Sequence, residues 1–281
     1  MVKQLDVSRS FIISLIKKED ILVNNKSTKS SYKVKAEDTI QVINLEKEQI
    51  NIKAEEMDLD IVYEDDDLLV INKESGTVVH PAPGSPNQTL VNGLLFHSKS
   101  LSANNGEYRP GVVHRIDKNT SGLLVFAKND KTHDFISKQL QDKTVTRKYI
   151  ALVHGVIPQD RLIIDAPIGR DINDRKKMSV TTKNSKDAIT NVEVLKRFKD
   201  YTLISCVLET GRTHQIRVHL KYIEYPIVGD PEYGPRKTLD CKGQALHAKT
   251  LGFIHPTKNE YIEFTSELPQ YFEELINGLE S

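Results

Sequence analysis

The stretch "GVVHRIDKNTSGLLVFAKN", Gly111 to Asn129, sets two apolar segments around a polar centre. Val112 and Val113 lead in, and Leu123, Leu124, Val125 and Phe126 lead out. Between them stand His114, Arg115, Asp117, Lys118, Asn119, Thr120 and Ser121, with Gly122 at the exit. The pattern predicts two strands joined by a loop, yet a turn needs only about two to five residues of turn chemistry. The surplus charge predicts a site. Asp117, beside Arg115 and Lys118, has cations close enough to keep a carboxylate ionised, as a nucleophile or an electrostatic stabiliser. Thr120, Ser121 and Gly122 have short side chains whose amides can approach a phosphate or fix the carboxylate.

Outward from this loop, strands dominate. "IVYEDDDLLVINK" reads as a hairpin with an Asp-rich turn, and "RKYIALVHG" and "YTLISCVLET" read as strands. "DKTHDFISKQLQDK" reads as a helix, and "THQIRVHLKYI" as a second one capped by Thr213, with Ile216, Leu220 and Ile223 facing the core. Tyr149 falls on a strand with Arg147 two residues earlier on the same face. Mixed strands with interspersed short helices predict an α+β fold. The first fifty residues form a separate unit. In it, "SRSFIISLIKKEDILVNNK" predicts a helix with Phe11, Leu15 and Ile16 on one side, then a strand from Ile21 to Val23 and a turn at Asn24-Asn25. "YKVKAEDTIQVI" predicts a further strand by its alternation through Val34, Ile40 and Val42. The expected domains are 1–50, a linker over 51–58, and 59–281.

The chain has 281 residues and a net charge of zero, but the charges are segregated. Ten bases stand against seven acids from Met1 to Lys53, and eight acids follow from Glu55 to Asp67 with no base among them. A neutral sum with basic and acidic faces still permits phosphate binding on one side. No apolar run approaches the ~20 residues of a membrane span. Met1 is followed by "VKQLDVSRS", which holds no apolar core, so neither a signal peptide nor a membrane partner is expected. The two cysteines, Cys206 and Cys241, make neither a disulfide framework nor a metal spacing, and the expected setting is the cytoplasm.

A second constellation is "LETGRTHQIRVHLKYIEYPIVGDPEYG", where Arg212, His214, Gln215, Arg217 and His219 crowd the start of a helix. Such a terminus favours an anion, either phosphate or a carboxylate such as Asp117. A metal reading would draw on His214, His219, His247 and His255. The spacing of His214 and His219 puts them on different helix faces, and no H-E-x-x-H occurs, so no metal is expected. A kinase is excluded, because Ile116 interrupts the His-Arg-Asp order and no glycine-rich loop lies upstream.

Taken in order, "HRIDKNTSGLLVFAK", "RKYIALVHG", "APIGRD" with "KKMSV", "TGRTHQIRVHL", "PIVGDPEYG" and "ALHAKTLGFIHP" resemble the RluA-type pseudouridine synthases. The likeness is greatest to the RluD-like branch that acts on large-subunit ribosomal RNA, and runs from about Leu59 to the C-terminus. The first fifty residues are similar to a shortened S4 RNA-binding domain, with Asp20, Asn25 and Glu37 where glycines are usual. Glu74 stands where a proline is usual, Ser185 where a glycine is, and Glu224-Tyr225 where Gly-His is common.

The resemblance implies a catalytic domain with a mixed, largely antiparallel sheet and short flanking helices, beside a small S4-like α/β domain. It implies cofactor-free isomerisation of uridine to pseudouridine, by breaking the bond from N1 to C1′ and joining C5 to C1′. Asp117 is implied as the essential carboxylate, attacking C1′ or removing the 2′ proton, and Arg217 as its partner, keeping it charged and aimed. Tyr149 would stack on the uracil and serve near C5. The flipped-out nucleotide would leave a gap for Arg115, with His114 and Arg212 on phosphates and Arg147, His214 and Gln215 also on the substrate. The expected partner is RNA, ribosomal RNA first, with no obligate protein partner and a monomer. The competing readings are a non-catalytic S4-type RNA-binding protein and a metal-dependent hydrolase.

Overall fold

The computed structural model describes residues 9–44, 52–82, 84–98, 100–104, 109–174 and 177–280. The chain divides into two compact units, Met1–Ile50 and Asn51–Ser281.

In the small unit, helix α1 (Arg9–Lys17) is followed by strands β1 (Ile21–Val23), β2 (Lys26–Ser27) and β3 (Ile40–Val42), in the sheet order β2-β1-β3. Ile12, Leu15 and Ile21 make its core. Asn24 and Asn25 both have positive φ, 52° and 59°, the backbone of a tight hairpin turn. The strand predicted from Tyr32 onward shrinks to Ile40–Val42. Asp38 draws the preceding residues into a turn by accepting hydrogen bonds from Asn24 Nδ2, Tyr32 Oη and the Lys35 amide. The Phe11 side chain lies outside the described residues.

The large unit is built on one sheet of nine strands. They are β4 (Ile61–Glu64), β5 (Leu68–Lys73), β6 (Ser121–Ala127), β7 (Thr146–His154), β8 (Arg161–Asp165), β11 (Ile189–Arg197), β12 (Tyr201–Leu208), β13 (Leu246–Ile254) and β14 (Tyr261–Thr265). The order is β4-β5-β6-β13-β7-β12-β11-β8, with β14 also on β13. All pairs are antiparallel except β13 with β6. A separate two-stranded ribbon joins β9 (Ile168–Arg170) and β10 (Met178–Val180). The helices are α2 (Leu90–His97), α3 (Asp130–Gln141), α4 (Gln215–Tyr222) and α5 (Gln270–Gly278). This is the α+β architecture that the strand pattern predicts, with the mostly antiparallel sheet that the resemblance implies.

Central strands read as continuous apolar runs because both faces are covered. On one face Leu69, Ile71, Leu124 and Phe126 pack with Leu94 of α2, Ile216 and Leu220 of α4 and Phe272 of α5. On the other, Leu68, Val70, Leu123 and Val125 pack with Ile136 of α3. Helix α3 begins where Asn129 accepts a hydrogen bond from the Thr132 amide at 2.9 Å. Gly122 is needed where β6 meets β13: its φ is 109°, and a Cβ there would lie 2.4 Å from the Ala248 carbonyl oxygen.

Three local expectations change. Gly111–Val113 does not form a strand; Val112 makes a single bridge to Phe126, and Gly111 has φ 72°. Helix α4 is not capped by Thr213. His214 occupies the cap in the left-handed conformation, φ 57°, without a side-chain capping bond. Residues 52–58, expected as a linker, run without regular structure against the large unit, where Asn92 Nδ2 donates to the Lys53 carbonyl at 2.7 Å and Glu55 N to the Asn92 carbonyl at 3.0 Å. Among the described residues no helix is long and apolar enough to cross a membrane.

Candidate active site

Asp117 sits on the loop entering β6, and the end of β5 grips that loop from below. Lys73 is 1% exposed, and its ammonium donates to the Lys118 carbonyl at 2.8 Å and the Glu74 carbonyl at 2.7 Å. Ser75 Oγ donates to the Asn119 carbonyl at 3.0 Å, and the Gly76 amide to Lys118 at 2.9 Å. Burial pulls the Lys73 pKa down to about 7, against the pull of Asp117 and Glu74.

Helix α4 brings Arg217 to the acid. Its Nη1 donates to Asp117 Oδ2 at 2.9 Å, while Nε and Nη2 fork onto Asp230 Oδ2 and Oδ1 at 2.7 and 2.8 Å. Nη2 also reaches Glu232 at 3.2 Å, and the guanidinium lies 4.9 Å from the centre of the Tyr233 ring. Burial works against this charge, but Asp230 and then Asp117 outweigh it and raise the Arg217 pKa. Asp230 is likewise penalised by burial and carried below its ordinary value by Arg217. Asp230 also accepts from the amides of Glu232 and Tyr233, so the turn "GDPEYG" is welded to α4.

A cavity of about 630 Å³ opens beside this pair, lined by Asp117, Arg217, Tyr149, Arg147, His214 and Arg212 among others. Tyr149 is buried in β7, across from Cys206 and Ala248 of the neighbouring strands, and burial raises its phenol pKa. His214 is aimed by Tyr233, whose Oη lies 2.8 Å from Nδ1, and its Nε2 stands 3.8 Å from Asp117 Oδ1. Burial lowers its pKa, with Asp117 opposing, so the ring favours its neutral form.

The structure brings Asp117, Tyr149, Arg217, Arg147, Arg212 and His214 to one cavity, with Arg115 at its exposed rim. Two of the predicted residues have other work. His114 Nε2 accepts from the Val125 amide at 3.2 Å, and burial followed by Arg147 pushes its pKa down to about 3, so it brings no positive charge to a phosphate. Gln215 is 3% exposed, and its side chain binds Thr210 Oγ1, the Arg212 amide, the Ile189 carbonyl and Thr190 Oγ1. It shapes the turn before α4 and has no free donor for substrate. Arg212 is half-buried, its Nε on the Asp187 carbonyl at 2.8 Å.

Sequence reasoning missed Asp230, Tyr233 and Lys73 as parts of the site. The Asp-Pro-Glu-Tyr order shows a turn, and the reach of Asp230 back to Arg217 appears only in three dimensions. The histidines considered for a metal do not converge: both ring nitrogens of His219, His247 and His255 are engaged by protein groups. Asp65, Asp67 and His255 lie close together, with Tyr63, Thr257 and main-chain amides as partners.

Comparison with known proteins fits this arrangement. The family described as RNA pseudouridylate synthase matches residues 67–222. An uncharacterised RNA pseudouridine synthase of Bacillus subtilis (strain 168), YlyB, is 56% identical over 274 residues, covering 98% of this chain and 90% of that one. Ribosomal large subunit pseudouridine synthase D of Neisseria meningitidis serogroup B is 42% identical, with 98% of this chain and 75% of that one covered. The solved structure of human RNA pseudouridylate synthase domain containing 1 superposes with a TM-score of 0.63 at 26% identity, covering 80% of this chain and 95% of that one. A loop, a strand and a helix that bring an acid, a tyrosine and an arginine to one cavity, and relatives of this kind over nearly the whole length, lead to one conclusion: the chain belongs to the RNA pseudouridylate synthase family and is an isomerase.

Proposed function

We propose that this enzyme isomerises specific uridines of large-subunit ribosomal RNA, with Asp117 as the essential carboxylate, Arg217 aiming it and Tyr149 under the uracil. The observation that carries the reading is the 2.9 Å contact of Arg217 with Asp117, inside a cavity walled by Tyr149. A carboxylate there serves either as nucleophile at C1′ or as base for the 2′ proton; both place it beneath a ribose whose C1′ becomes electron-poor, as in retaining glycosidases. The uracil that leaves C1′ turns over on the Tyr149 ring and returns through C5. Net, one proton moves from C5 to N1, which balances without an outside reagent.

Entry to a cavity of this depth requires the nucleotide to leave its stack, at roughly a few kcal/mol. Arg115, exposed beside the acid, is placed to fill the gap, and Arg212 to meet the backbone. The small unit is the S4-like RNA-binding arm in this reading: Lys17, Lys18, Lys26, Lys29, Lys33 and Lys35 are all exposed on it. The large-subunit enzymes among the relatives support the ribosomal substrate, and in this reading the enzyme works in the cytoplasm as a monomer. Mapping pseudouridines chemically in ribosomal RNA from cells with and without this protein tests it. Loss of one or more large-subunit sites is expected; an unchanged map overturns the substrate.

A further inference from the structure

Arg147 is 7% exposed in β7, two residues before Tyr149, and it lines the same cavity. Its Nε has no hydrogen-bond partner, and among the described residues no carboxylate pairs with its guanidinium. The ionisable groups that bear on it are Tyr149 and Arg212, a phenol and a second cation. His114 nearby is held neutral. The acids of the cavity are engaged elsewhere: Asp117 with Arg217 at 2.9 Å, and Glu209 with Lys143 at 3.5 Å and Asn191 at 3.1 Å. Gly211 makes the room, since a Cβ there would stand 2.6 Å from Arg147 Nη1.

Burying a cation without a counter-charge is strongly unfavourable, and arginine does not escape by losing its proton. Burial and Arg212 both press the Arg147 pKa below the ordinary arginine value. A fold retains such a group where a ligand completes it. The ligand must be an anion that suits a flat fork of donors and tolerates a second guanidinium alongside. Arg212 and Lys143 also line the cavity, and such a cluster of cations matches a polyanionic backbone rather than an uncharged base.

We propose that Arg147 is the seat of a backbone phosphate of the RNA, next to the nucleotide that enters the cavity. The proposal rests on the RNA-modifying reading above and assigns one anchor within it. The fork fixes the strand while Tyr149, two residues on, receives the base. Phosphate contacts position without reading sequence, so this anchor sets the depth of the uridine and leaves the choice of uridine to other surfaces.

The test uses the full-length protein and an unmodified transcript of large-subunit ribosomal RNA, and compares wild type, Arg147→Met and Arg147→Lys. Dissociation constants across a series of KCl concentrations give the salt slope, and single-turnover rates at saturating transcript give the chemical step. Arg147→Met is expected to weaken binding by about tenfold and to reduce the salt slope by about 1. Its rate at saturating RNA should fall by a smaller factor than its affinity, and its Tm without RNA should not fall. Arg147→Lys should restore the slope. An unchanged slope overturns the phosphate. Unchanged affinity with a slowed saturating rate also overturns it, and shifts the guanidinium to the charge on the departing uracil. A lower Tm for both variants, with Lys no better than Met in binding, makes Arg147 structural and overturns it too. If wild type binds the transcript but forms no pseudouridine in it, the ribosomal substrate falls while the slopes still decide Arg147.

Discussion

The cavity holds two buried guanidiniums in opposite electrostatic situations. Arg217 touches Asp117, Asp230 and Glu232, and every edge of its fork is used. Arg147, equally buried, meets no carboxylate among the described residues. A buried charge that is fully satisfied holds its neighbours in one geometry; one that is not is a debt the empty protein carries. The contrast separates aiming from binding. On the proposed reading, Arg217 belongs to the rigid frame that points the acid, and Arg147 to the part of the cavity that RNA would complete.

Experiments can break this contrast at several levels. The largest effect is expected from Asp117→Asn, which removes the charge Arg217 aims; pseudouridine formation should fall by at least about ten-thousandfold, with an unaltered circular dichroism spectrum. Activity near wild type would end the assignment. Next comes Arg217→Met, which leaves Asp230 buried and unpaired and should lower unfolding stability by about 4 kcal/mol. Urea denaturation of this variant beside Arg147→Met tests the comparison directly, and equal losses would show that the two sites are not different in kind.

Acid should act through the buried histidines. His247, 1% exposed between Ser121 and Ser266, is pushed down to about 4 by burial and Lys249, and His114 to about 3. Their neutral forms are favoured in the folded state, whereas the unfolded chain takes up protons near pH 6.5. The stability they give is therefore complete above pH 6.5 and is lost as pH falls toward 4, on the order of 3 kcal/mol for His247. Urea midpoints at pH 7 and pH 4.5 check this, and His247→Gln should flatten the difference. The smallest effect is expected from Arg212→Ala, at roughly tenfold in activity for one lost phosphate contact. A larger loss than that of Arg217→Ala would count against the aiming role.

Much of the frame was legible because it follows local rules. The segment "DKTHDFISKQLQDK" marks α3, and the apolar runs from Tyr149 to Val153 and from Leu203 to Cys206 mark buried strands. The order of those strands was not legible, since β13 enters the middle of the sheet from the far end of the chain. The pairing of Asp117 with Arg217, a hundred residues apart, entered through resemblance and not through spacing. Gln215 misled because a polar side chain beside arginines reads as substrate-facing, while here it ties up a turn that a strained His214 has opened. Glu224 is a departure of the same origin: it adopts φ 70° just after α4, a conformation glycine takes more readily.

The position of β13 has a consequence for how the enzyme is made. Among the described residues, the strand that carries the tyrosine and the one that follows the acid are paired into one sheet through Leu246–Ile254, so the two halves of the sheet are not joined until that segment leaves the ribosome. A product of premature termination before Leu246 thus holds two open strand edges and no assembled centre, and is bound for aggregation or proteolysis rather than for partial catalysis.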